Sequence, residues 1–184
     1  MELFRVFDWD RSSLGRAEGG PLFVARAQQG AGRHDVPEHY GALYCSRAAV
    51  SAVAECIQYL RGHVLHDRDF VRRGTLTKAL VTLRVDDRVR LVDLDNPAEL
   101  TARRVRPSQV ATLRRAVTQA IALSVFREGA DGLTWWSILD AEWTNVTLFH
   151  ERALPHIAVA VPPQVLSTRI PEVRLAAEHL GIAI

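Results

Sequence analysis

Arg33, Tyr44 and Glu55 stand out from Ala-rich, largely apolar surroundings, each eleven positions after the one before. Upstream, Arg5 interrupts the apolar run Leu3-Phe4-Arg5-Val6-Phe7, and downstream Ser137 closes Gly132-Leu133-Thr134-Trp135-Trp136-Ser137. Guanidinium forks grip phosphate, and a tyrosine stacks on a flat ring or hydrogen-bonds through its hydroxyl. One glutamate and one serine complete the set. The set suits a ligand that is both phosphorylated and aromatic, which points to a nucleotide.

Each residue also has a plainer reading. Arg5 at the centre of an apolar strand must either reach solvent or pair with an anion. Arg33 follows Gly32 in a loop, where backbone can approach a ligand closely; a single Gly-Arg pair carries little by itself. Glu55 taken alone fits a structural carboxylate, and Ser137 beside Trp135 and Trp136 fits core and edge packing. His63-x-x-His66-Asp67 has metal-ligand spacing, yet an exposed polar helix end explains it and no further ligand cluster supports zinc. Asp93 and Asp95 form an acidic pair of the kind that strand ends commonly carry.

The elements that must position these residues follow from pattern. Residues 3–7 read as a strand, and no period holds from 8 to 40, where glycines and prolines punctuate a long binding loop. Residues 42–45 read as a short strand, with Ser46 as N-cap of a helix from about 47 to 61. Val50, Val53, Ala54, Ile57 and Leu60 form its core stripe. Glu55 lies across from them among Ala48, Ser51, Ala52 and Tyr59, so something packs against that face too. Two strands fill 75–94, Thr77 to Val85 and Arg88 to Leu94, around the turn Asp86-Asp87. Asn96-Pro97-Ala98-Glu99 opens a short helix. Pro107 opens a longer one ending at Gly129, with Val110, Leu113, Val117, Ala120, Ile121 and Val125 as its buried stripe. The remainder reads as strands 132–138, 145–150, 157–161 and 165–168, then a helix 171–180. Strands in runs with helices between them indicate an α+β fold.

The 184 residues form one domain, 1–184, with 48% hydrophobic and 24% charged residues marking a globular chain. A net charge of +2 gives no reason to expect direct nucleic-acid binding, and the apolar segments are too short for a membrane span. Lys78 is the only lysine beside many arginines, a composition bias that still supplies planar forks wherever one faces a ligand. Cys45 and Cys56 make no Cys-x-x-Cys, and the N-terminus lacks a signal-peptide pattern, so a reduced, cytoplasmic protein is expected. Gly-x-Gly-x-x-Gly, the P-loop and Gly-x-Ser-x-Gly are all absent, which disfavours Rossmann, phosphoryl-transfer and α/β-hydrolase chemistry.

In order and spacing the set resembles the RES-domain family, named for its arginine, glutamate and serine. Leu3-Phe4-Arg5-Val6 resembles the family's opening strand, and Gly32-Arg33-His34-Asp35-x-Pro37 its Gly-Arg-aromatic-Asp/Asn-x-Pro loop. Leu43 to Ser46 with Ala48-Ala49 and Ala52 to Glu55 resembles the strand and helix that deliver tyrosine and glutamate. Gly132 to Ser137 followed by Asn145 to Phe149 resembles the serine segment. His34 departs from the pattern, which usually has an aromatic ring there.

The resemblance implies a single compact domain with the mixed sheet of ADP-ribosyltransferase toxins and flanking helices. It also implies NAD as substrate, with no metal. The reaction it implies is cleavage of the nicotinamide–ribose bond, with phosphate as acceptor, by a toxin held by an Xre-type antitoxin. Glu55, Arg5 and Ser137 would be catalytic, and Arg5, Arg33, Tyr44 and Ser137 would hold NAD. An ADP-ribosyltransferase acting on a protein uses the same residues, and a non-catalytic nucleotide-binding module is the third reading.

Overall fold

The computed structural model describes residues 1–72, 74 and 76–184. Seven strands and six helices are found among them, with the expected α+β character. The strands are β1 (Glu2–Trp9), β2 (Ala42–Ser46), β3 (Thr77–Val85), β4 (Leu91–Asp93), β5 (Gly132–Trp136), β6 (Thr144–Phe149) and β7 (Ile157–Val165). The helices are α1 (Ala49–Ile57), α2 (Pro97–Arg103), α3 (Pro107–Val110), α4 (Arg115–Arg127), α5 (His150–Ala153) and α6 (Pro171–Leu180). The sheet is mixed, in the order β4-β5-β6-β2-β1-β3-β7. The chain gathers into two compact units, one of Met1, Val24–Cys45 and Val85–Ile157, the other of Glu2–Phe23, Ser46–Arg84 and Ala158–Ile184.

In the first unit β5 runs parallel to β4 (Leu91↔Gly132) and antiparallel to β6 (Leu133↔Thr147). Gly132 stands where β5 and β6 meet closely, since a Cβ there would clash with the Thr147 carbonyl oxygen. Residues 145–149 of β6 are all buried, so this strand reads as a continuous run rather than an alternation. Its core joins Leu94, Leu100, Val125, Leu133, Trp135 and Phe149. Tyr40 and Phe149 lie 4.4 Å apart by ring centroid, and Phe126 meets Phe149 edge-on at 5.3 Å, geometries that aromatic quadrupoles favour.

The expected long helix from Pro107 is broken. α3 stops at Val110, and α4 starts afresh at Arg115. In an unbroken helix the Val110 and Thr112 carbonyls would accept amides four residues on; here both accept from the Arg33 guanidinium, at 2.9 and 2.8 Å. The break turns the face of the second piece. Thr118, Ala122 and Val125 are its buried residues, whereas Leu113 is 69% exposed and Ala120 is exposed. α2 begins as expected, with Asn96 Oδ1 accepting the Ala98 amide and Pro97 in the first turn.

In the second unit β1 pairs antiparallel with β3 from Glu2↔Arg84 to Trp9↔Thr77, and Phe4 pairs with Ser46. α1 packs on α6 and on β1. Ala52 and Ala54 on α1, and Ala176 and Ala177 on α6, are all buried, and such small side chains let helices approach closely. Ser51 and Ala52 beside Glu55 are buried while Tyr59 is exposed, so the Glu55 face is covered in part. Ser46 does not cap α1. It is the last residue of β2, the N-cap position is Ala48, and Ser46 Oγ accepts instead from Ser51 Oγ at 3.3 Å.

β4 is shorter than 88–94, and residue 75 of the expected 75–94 pair lies outside the described residues. Residues 157–168 hold one strand rather than two. β7 runs through Pro162 and Pro163, which a strand tolerates at the sheet edge where those amides are not needed.

Phe149→Ala should leave a void beneath the aromatic trio and cost about 3–5 kcal/mol. Urea denaturation checks this, with the midpoint expected to fall and the slope to stay unchanged.

Candidate functional site

The loop from Gly30 to Asp35 is folded around one carboxylate. Asp35 Oδ2 accepts the amides of Gly32 (2.7 Å) and Gly30 (2.9 Å), and Oδ1 accepts the Tyr44 hydroxyl (2.7 Å). Tyr44 in turn accepts the His34 amide at 2.8 Å. A Cβ on Gly32 would stand 2.6 Å from both Asp35 oxygens and from the Tyr44 hydroxyl. Only glycine fits there. The loop carbonyls are held too: Gln119 Nε2 donates to Gly30 and Gly32, each at 3.0 Å, and the Thr118 hydroxyl donates to Arg33.

Arg33 is 6% exposed. Besides holding the Val110 and Thr112 carbonyls, its guanidinium lies 4.8 Å from the Trp135 ring centroid, in cation–π contact. Tyr44 commits its only proton to Asp35, so toward a ligand it offers a ring face rather than a donor. Burial first, and then the Asp35 charge, push its phenol well above the ordinary range, which keeps it protonated.

His34, the departure from the family pattern, does pack as a ring. It is buried, stacked on Tyr44 at 6.4 Å and edge-on to Trp135 at 5.3 Å. Its Nδ1 shares a 2.8 Å hydrogen bond with Thr147 Oγ1, which also accepts from Trp135 Nε1 at 3.3 Å. Burial, then the charges of Arg33 and Arg115, push its pKa down from 6.5 to about 3. The imidazole is therefore neutral at physiological pH.

Ser137 belongs to the same unit, directly after β5. It is 2% exposed, its amide donates to the Trp143 carbonyl at 2.7 Å, and its Oγ accepts the Leu139 amide at 3.1 Å. The bond to Leu139 fixes the turn after β5.

Arg5 and Glu55 belong to the other unit. Arg5 donates to the carbonyls of Pro21 and of Phe23 (2.8 Å) and lies over Phe7 at 5.3 Å, so backbone oxygens meet part of its charge. Glu55 sits half-buried on α1, and Gln58 Nε2 donates to its Oε2 at 2.9 Å, which orients the carboxylate.

Sequence reasoning named Asp35 only as a position of the loop motif and did not single out Thr118, Gln119 or Thr147. Asp35 carried a signal, since an aspartate three residues after a glycine can bond loop amides. Nothing local marked the others. His63 and His66 hold no metal-like cluster, because no group of three or more His, Cys, Asp or Glu gathers among the described residues. His66 instead precedes a short turn at Asp67–Phe70, its amide donating to Asp69 at 2.8 Å. No helix among the described residues is long and apolar enough to cross a membrane.

A family model described as the RES domain matches residues 3–174. Among solved structures, a chain of the crystal structure of the M. tuberculosis MbcT–MbcA toxin–antitoxin complex is similar, with a TM-score of 0.67. Identity is 16%, over 98% of this chain and 88% of that one, a likeness of fold. A comparison with curated proteins finds no match.

His34 makes stability depend on pH in a set direction. Between 6.5 and about 3 the unfolded chain binds a proton that the folded chain refuses, so the contribution is complete above 6.5 and declines as pH falls. The slope approaches about 1.4 kcal/mol per pH unit. Denaturation of parent and His34→Phe between pH 6.5 and 5 should show the variant's slope smaller by about that amount. Equal slopes would mean that buried His34 is protonated as easily as a free one.

Proposed function

This chain belongs to the RES-domain family, and on that premise we propose that it is an NAD-consuming toxin of a toxin–antitoxin pair. The observation that carries the reading is the extent of the match, which from 3 to 174 takes in Arg5, Arg33, Tyr44, Glu55 and Ser137 together. The reaction proposed is phosphorolysis. A phosphate oxygen bonds to the ribose carbon as the carbon–nitrogen bond breaks, and the bonding pair leaves with nicotinamide. The products are ADP-ribose-1-phosphate and neutral nicotinamide.

Positive charge builds on the ribose carbon as that bond lengthens, in an oxocarbenium-like transition state comparable to glycoside hydrolysis. A carboxylate fixed beside it needs no reorganisation at the moment of reaction, which is why such preorganised charge is a large catalytic contribution. Glu55 is proposed for that role, with Gln58 holding it in place. Arg5 and Arg33 would favour the diphosphate and the attacking phosphate. The Tyr44 ring would lie against the nicotinamide ribose, and Ser137 would bond a ribose or phosphate oxygen. No metal enters the scheme. The likeness to a chain of a toxin–antitoxin complex supports a protein partner, proposed to be an Xre-type antitoxin.

Incubating the pure chain with NAD, with and without phosphate, and quantifying nicotinamide and the ribosyl product tests the chemistry. Loss of NAD that requires phosphate is expected. ADP-ribose formed without phosphate would make the enzyme a hydrolase, labelled protein would make it an ADP-ribosyltransferase, and persistence of NAD at high protein concentration would leave a binding module.

Glu55→Gln should keep the fold and most of the NAD affinity but lower turnover by on the order of 10²-fold, about 3 kcal/mol. Turnover within a few-fold of the parent would make Glu55 structural. Expressed alone in bacteria, the chain should arrest growth as cellular NAD falls. Normal growth from folded protein with unchanged NAD would remove the toxin role.

A further inference from the structure

A slot of about 490 Å³ lies beside α2, the turn after it and the end of β5. That is within the usual range for small-molecule sites. Trp136, the residue before Ser137, forms one wall, and Leu100, Val105 and Pro107 form apolar walls. Two polar side chains, Asp95 and Thr101, also line it. Thr101 Oγ1 donates its single proton to the Pro97 carbonyl at 2.8 Å, so toward the slot it can only accept. The Asp95 carboxylate likewise offers acceptors. A flat ring bearing N–H donors therefore matches the walls and the polar groups together, and an anion inside the slot would meet Asp95.

The chain on either side of Val105 is basic. Arg104 and Arg106 flank it and both are exposed. Arg104 sits in the left-handed region at φ 54, the one non-glycine residue so placed among the described residues. Glycine is the easy choice at such a helix end, and a Cβ there is strained. An apolar slot with an indole wall and arginines beside it has the charge layout of a base next to its phosphates.

We propose that this slot is a purine-base subsite, taking the adenine ring of a dinucleotide with its exocyclic amine toward Asp95 and Thr101. The choice of adenine rests on the NAD reading above; the preference for a flat, N–H-donating ring rests on the slot alone. Trp136 would stack on the ring, and Arg104 and Arg106 would face the phosphate side.

The test titrates the full chain with adenosine monophosphate, inosine monophosphate and nicotinamide mononucleotide by calorimetry, beside an NAD-turnover assay. Adenosine monophosphate should bind saturably. Inosine monophosphate, which has a carbonyl in place of the amine, should bind at least tenfold more weakly, and nicotinamide mononucleotide should be weaker than adenosine monophosphate. Val105→Arg should fill the slot and weaken adenosine monophosphate at least tenfold. Asp95→Ala, at an exposed position where the fold tolerates change, should weaken it several-fold and supplies the answer if Val105→Arg fails to fold.

Undiminished binding of adenosine monophosphate to the folded variants would overturn the proposal, as would no binding at millimolar concentration. A preference for nicotinamide mononucleotide would overturn the adenine assignment. NAD loss without slot-dependent binding would remove the subsite and leave the enzyme. Slot-dependent binding without NAD loss would remove the enzyme and leave the subsite.

Discussion

The Asp35 carboxylate gathers three donors from three places in the chain, the amides of Gly30 and Gly32 and the hydroxyl of Tyr44. Hydrogen bonds to a carboxylate are stronger than those between neutral groups, and together they hold a loop that has almost no regular structure of its own. Several other features follow. Tyr44 can accept the His34 amide because its own proton is committed, and His34 then stands between Tyr44 and Trp135. Arg33, adjacent to His34, is carried to the Val110 and Thr112 carbonyls, where it takes hydrogen bonds that a continuous helix would have made for itself.

Burial gives these groups fixed protonation states. A neutral imidazole at His34 can pair with Thr147 without bringing a second positive charge next to Arg33. A charged imidazole there would need desolvating beside a guanidinium, which the interior disfavours. The same low-dielectric surroundings keep the Tyr44 proton on oxygen. The charges of the set thus sit on Arg33 and the Asp35 carboxylate, and its rings are neutral.

Local pattern reached some of this and not the rest. β3 and α6 match their sequence-derived bounds because each carries its own signals: an apolar run closed by Asp86-Asp87, and a proline start with a glycine stop. The 107–129 stretch reads as one helix because nothing local opposes that reading. What breaks it is Arg33, 77 positions upstream of Val110. Pro162 and Pro163 read as a strand break until the edge position of β7 is known. Of the residues proposed for the site, Arg33, Tyr44, Glu55 and Ser137 drew notice because their chemistry is unusual for their surroundings. Thr118 and Thr147 did not, because threonine in a helix or strand is ordinary, and Asp35 was marked only as a position of the loop motif. Arg5 was legible as an anomaly, while the carbonyls it donates to were not, as backbone leaves no trace in side-chain pattern.

The bond between His34 and Thr147 spans 113 positions, and Trp135, which completes the ring packing, also comes late in the chain. Synthesis runs from the N-terminus, so the loop leaves the ribosome long before the partners that set its shape. Closing so long a connection carries an entropic cost that only later contacts offset. A nascent chain that has reached α4 has Thr118 and Gln119 to hold the loop carbonyls but not the strands that hold its rings. The loop bearing Arg33 is completed only once β5 and β6 have emerged, which ties its final geometry to strands made about a hundred residues later.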